Sequence, residues 1–74
     1  MTVNKIWKMI PREKQEGILE VYEDTDGFWI ILNPGWNADG MDHRCRTIHC
    51  GGEDFTEAET VKDLRYQIDL IRKL

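Results

Sequence analysis

Four residues close together in the chain carry ligand or nucleophile chemistry: His43, Cys45, His49 and Cys50. Two imidazoles and two thiols are the donor types that hold zinc. Their spacing argues against one shared ion. If the segment from Arg44 to His49 is extended, His43 and His49 stand about 20 Å apart at roughly 3.3 Å per residue. A single zinc needs its ligands within about 2.3 Å of itself. Cys50 would also face away from His49, and the same reach excludes a Cys45–Cys50 disulfide in a straight strand. The sequence thus predicts no metal, no cofactor and no disulfide within one chain; a site shared between two chains stays open. His49 alone, at the end of that strand and before Gly51-Gly52, is either a general base or a residue that braces the turn by a local hydrogen bond. With no serine or cysteine nucleophile placed to pair with it, the bracing role is preferred.

Other acid-rich fragments, Asp24-Thr25-Asp26-Gly27 and residues 37–42, resemble pieces of a calcium loop. Both lack its full ligand register and read as turns. No catalytic residues are assigned. The candidate binding residues are Trp36 and Met41, in the irregular stretch 33–42, with Glu53 and Asp54 ahead of the C-terminal helix. A loop tryptophan is either tucked over the sheet edge or exposed as a binding anchor. The acidic run Glu53, Asp54, Glu57, Glu59 complements a helix dipole and offers a face to a basic partner.

The elements that must position these residues are legible in outline. Residues 18–22 and 28–32 form two β-rich runs around Asp26-Gly27, a strong hairpin signal. Leu19 and Val21 are expected on one side, with Ile18, Glu20 and Tyr22 on the other. The second run alternates Phe28, Ile30 and Leu32 with Trp29 and Ile31. Both its faces are apolar, so it is read as a central strand covered on both sides. One cover is the C-terminal helix; the other is the N-terminal segment or a second subunit. Residues 2–10 are read as a strand, with a short helix as the alternative, ended by Pro11. Residues 44–49 are a candidate fourth strand. Thr56 with Glu59 fits a capping box. Val61, Leu64, Ile68 and Ile71 then make one apolar stripe, extended by Ala58 and Leu74. The predicted class is α+β: residues 1–74 as one domain, an antiparallel three- to four-stranded sheet (a β-meander) with one C-terminal helix on one face.

Ten basic and fourteen acidic residues give a net charge of −4, which argues against nonspecific nucleic-acid binding. Residues 1–10 have no continuous apolar core, and no run approaches a membrane span. The chain is therefore expected in the cytoplasm, without membrane association. Seventy-four residues leave a thin stability margin, which makes a homodimer an expectation.

Particular residues carry two resemblances. Asp26, Gly27, Trp29, Pro34, Gly52, Glu53, Thr60 and Leu64, across residues 18–71, resemble HicB-type antitoxin domains. That likeness implies an antitoxin neutralising a small ribonuclease. The string from Phe28 to Trp36, with Thr47-Ile48-His49 and Thr60-Val61-Lys62-Asp63-Leu64, resembles small uncharacterised phage and prophage proteins more closely. It implies a phage origin and a host-cell cytosolic setting. The leading expectation is a small non-enzymatic phage-type protein that binds another protein and inhibits a host defence or regulatory factor. The alternatives are the HicB-like antitoxin and a small nuclease or hydrolase using His49 with Asp39 or Asp42.

Overall fold

The computed structural model describes residues 1–38 and 46–74. Readings that rest on Asp39, Met41, Asp42, His43 or Cys45 lie outside the described residues. Along the chain come α1 (Val3–Met9), α2 (Arg12–Gln15), β1 (Ile18–Asp24), β2 (Gly27–Leu32), β3 (Trp36–Ala38), β4 (Thr47–Cys50), α3 (Glu57–Leu70) and β5 (Ile71–Lys73). Among the described residues, β1, β2 and β4 form an antiparallel sheet in the order β1-β2-β4, and β3 pairs with β5 in a second small sheet. The α+β class, the central second strand and the helix-covered face are as the sequence predicts.

The N-terminal segment is a helix, not the expected strand. Thr2 caps it by accepting the Lys5 amide hydrogen at 3.2 Å. Ile6 and Ile10 are buried in the core, and Val3 and Trp7 pack against the same cluster; an alternating strand would have put Val3 and Trp7 on the face opposite Ile6 and Ile10. Pro11 ends α1, and the chain starts the single turn of α2 directly after it. Gln15 Nε2 then ties the two together by donating to the Trp7 and Ile10 carbonyls.

In the hairpin, Asp24 pairs with Gly27, and Thr25 and Asp26 make the turn. The positive φ (126°) falls on Gly27, where a Cβ would also meet the Cys50 carbonyl oxygen at 2.6 Å. Glycine is required there for both reasons. A register shift between Ile18 and Glu20 reverses the expected facing of Ile18 and Leu19 at the start of β1, while Val21 faces away from Glu20 and Tyr22 as expected. Ile18 and Val21 both enter the core, and Leu19 is turned outward, 63% exposed. A bulge does this because the one extra residue changes the parity of the strand.

The capping box at Thr56 and Glu59 forms as predicted: each side chain accepts the other's backbone amide hydrogen. Thr60, Leu64 and Ile68 are the buried residues of α3, with Val61 half-buried beside them. The predicted stripe runs too far. Ile71 leaves the helix to pair with Ala38, while Ala58 and Leu74 are exposed. Lys14 of α2 closes the end of α3, donating its ammonium to the carbonyls of Ile68 at 2.9 Å and Asp69 at 3.1 Å.

One core results. Phe28, Ile30 and Leu32 of β2, with Ile48 and Cys50 of β4, meet Ile6, Ile10, Leu64, Ile68 and Ile71 in a single cluster. The N-terminal helix and the C-terminal helix therefore share one face of the sheet. Of the two covers the sequence offered for the opposite face, the N-terminal segment is thereby excluded. Among the described residues, no helix is long and apolar enough to cross a membrane.

Candidate binding face

Because side chains alternate along β2, Trp29 and Ile31 project from the face opposite the core. Trp29 pairs with Tyr22 of β1 on one side and with His49 of β4 on the other. The three rings form a ladder across the sheet. Trp29 and His49 stack at 4.3 Å between centroids and 28° between planes. Tyr22 and Trp29 are 6.4 Å apart and within 14° of parallel. Such cross-strand aromatic pairs stabilise a sheet. Here the middle ring stays half-buried.

His49 anchors one end of this ladder. Its Nε2 lies 2.7 Å from the Asp26 carbonyl oxygen. A carbonyl only accepts, so Nε2 carries the proton. The ring bridges the end of β4 to the β1–β2 turn; it braces a turn, but through a contact 23 residues away and not the local hydrogen bond expected from the sequence. Asp24 sits beside Trp29 at the same end. Its Oδ1 accepts the Asp26 amide hydrogen at 2.8 Å. The Trp29 indole N–H is the largest influence holding the Asp24 carboxyl below the usual carboxylate range; desolvation opposes it, and the Asp26 amide, His49 and the Gly27 amide add smaller lowering effects. That indole N–H nonetheless makes no hydrogen bond of standard geometry.

At the far end of the face, the bulge sets Leu19 beside Ile31, Pro34 and Thr47, with Arg46 at the rim, around a shallow groove of about 300 Å³. Glu20 is registered opposite Ile31 on the same face. The face thus runs from an apolar end to an acidic end, with the aromatic ladder nearer the acidic one.

The residues selected from the sequence fall in different places. Trp36 lies in β3, half-buried against the core and over Gly17, just before β1 begins. Glu53 lines a second groove with Glu23, Asp24, Gly52 and Phe55, at the other end of β1. Seven strand residues separate these two ends by about 20 Å at roughly 3.3 Å per residue. Asp54 is exposed beside Glu53. Met41 lies outside the described residues. Cys50 is buried, and its thiol is pushed up to about 11 by burial and by the nearby Asp63 charge. Among the described residues, no group of three His, Cys, Asp or Glu side chains could hold a metal ion.

The residues missed from the sequence are Tyr22, Leu19 and Asp24. Tyr22 and Trp29 could have been paired by counting outward from the Asp26-Gly27 turn. Leu19 could not, because the bulge has no signature in the sequence. Compared with protein-family models, curated proteins and solved structures, the chain matches none.

Proposed function

We propose that this is a non-enzymatic protein-binding module that docks a partner on the open face of its sheet. The observation that carries the reading is the one-sidedness of the fold. Both long helices and the second sheet pack on the Phe28–Ile30–Leu32 face, while the opposite face presents an aromatic ladder and an outward Leu19. Exposed apolar and aromatic surface of this kind is characteristic of interaction sites. His49 supports the same reading: its Nε2 is engaged with Asp26 and its ring is stacked on Trp29, the environment of a brace. A module that covers a partner's surface inhibits it by occupancy, the action expected of a small phage-type inhibitor.

The test is capture of a partner from host lysate by the tagged protein, followed by a binding isotherm with the purified partner. Leu19→Lys and Tyr22→Ala are expected to keep a native circular dichroism spectrum and to weaken binding at least tenfold. Tyr66→Ala, on the outer side of α3, is the matched control and is expected to bind as the parent does. Equal binding by all variants would sink the open face as the docking surface.

A further inference from the structure

If the open face is a protein-docking surface, as proposed, its chemistry also selects the occupant. Three kinds of occupant would place an apolar or planar group on the ladder: a second copy of this chain, a nucleic-acid base, or a side chain of another protein. Charge separates them. Glu20 and Asp24 lie on the face itself, Glu20 beside Ile31 and Asp24 beside the ladder at the turn. Asp26 forms the turn beside it, and Glu23 and Glu53 border the adjoining groove. Arg46 stands at the end away from Asp24, where Glu20 is its neighbour across Ile31 and Thr47. Two copies meeting face to face would bring four carboxylates, Glu20 and Asp24 of each, into one interface, and among the described residues of that face only the two Arg46 side chains are at hand to meet them. A phosphate backbone would run along the same acids, in a chain of net charge −4, and be repelled.

We infer that the open face receives a basic segment of another protein, with an arginine side chain laid against Trp29 and Tyr22 and its guanidinium directed to the Asp24 carboxylate. The geometry suits that side chain. His49 closes one flank of Trp29 at 4.3 Å, whereas on the other flank Tyr22 is nearly parallel at 6.4 Å. A planar cation over this pair falls within the roughly 6 Å range of attraction to both ring centroids. Arginine suits the site better than lysine because its flat guanidinium stacks on rings while donating to a carboxylate. Asp24 stays ionised well into the acid range, so the acceptor is charged at neutral pH.

The experiment uses a short amidated peptide of alternating glycine and arginine, its lysine counterpart, and the ¹⁵N-labelled full chain. The expected result is a saturable shift of the Trp29 indole resonance with the arginine peptide. Asp24→Asn is expected to weaken it at least tenfold and the lysine peptide to bind at least threefold more weakly. Asp69→Asn, the same charge change on α3, is expected to leave it unaltered. Equal losses from Asp24→Asn and Asp69→Asn, or shifts spread over the whole acidic surface, would overturn the inference. So would light scattering that finds a dimer broken by Leu19→Lys, since the occupant would then be a second copy. If the lysate-derived partner binds through Leu19 and Tyr22 but Trp29 ignores the arginine peptide, this inference fails and the protein-binding reading survives. If the partner ignores both variants, the underlying reading fails.

Discussion

The six-membered ring of Trp36 fills the space in front of Gly17: a Cβ at that position would come within 2.4 Å of Trp36 Cδ2. The tryptophan chosen from the sequence as a loop anchor is thereby tucked, with its ring held between β3 and the start of β1. Gly17→Ala is expected to cost about 2 kcal/mol through overpacking, and Trp36→Ala about 3 kcal/mol through lost burial. The double variant should lose less than the sum, because the new methyl partly fills the space the ring leaves. Urea unfolding of the three variants measures this. Parent-like midpoints in both single variants would return Trp36 to the role of an exposed anchor.

Lys14 joins α2 to the end of α3 through the carbonyls of Ile68 and Asp69. Both lie among the last four carbonyls of α3, and the Ile68 carbonyl also accepts the amide hydrogen of the Ile71 cap. Lys14→Met keeps the aliphatic stem and removes the donors. The expected loss is about 1 kcal/mol, with Lys14→Arg recovering part of it. Amide exchange should localise the change to the last turn of α3 and to β5; an unchanged exchange rate there would count against the cap.

Cys50 has its thiol raised to about 11 from a value of 9.0, by burial first and by Asp63 second. A raised acid stays protonated in the folded state while the unfolded chain has already ionised. The contribution to stability is therefore complete below about pH 9 and lost as pH rises from there towards 11. In a Cys45→Ser background, where Cys50 is the remaining thiol, a disulfide reagent at pH 8 is expected to react only at the rate of unfolding. Immediate reaction of the folded protein would contradict the burial.

Asp24 is shifted the other way, held low chiefly by the Trp29 indole N–H. Its contribution is present above the ordinary carboxylate range near 3.9 and disappears as pH falls through its lower folded value. Asp24→Asn should be slightly less stable than the parent at pH 7 and converge with it in the acid limb. Thermal melts from pH 7 to pH 2 read this out, and a gap that persists at pH 2 would assign the effect to the turn hydrogen bond instead.

The hairpin around Asp26-Gly27 and the capping box at Thr56 were legible in the sequence because each is settled by residues a few positions apart. The central position of β2 was read from apolar residues on both its faces, and β2 is central; the cover expected on both faces is found only over Phe28, Ile30 and Leu32, and the Trp29 and Ile31 face is left to the aromatic ladder. The N-terminal segment was not legible. Its apolar residues fit both a period of two and a helical repeat, and the choice fell to the helix because Val3 and Trp7 then reach the same core as Ile6 and Ile10. Ile71 continues the spacing of α3 in the sequence, yet β3 offers it backbone partners and the helix ends. Alternation by itself groups Trp29 with Ile31 and Phe28 with Ile30. It does not say which group meets the helices, and one bulged residue is enough to turn Leu19 from the core to the outside. The ladder of Tyr22, Trp29 and His49 exists only once three strands from distant parts of the chain are in register. Local patterning thus determined the elements, and tertiary packing decided which face was left open.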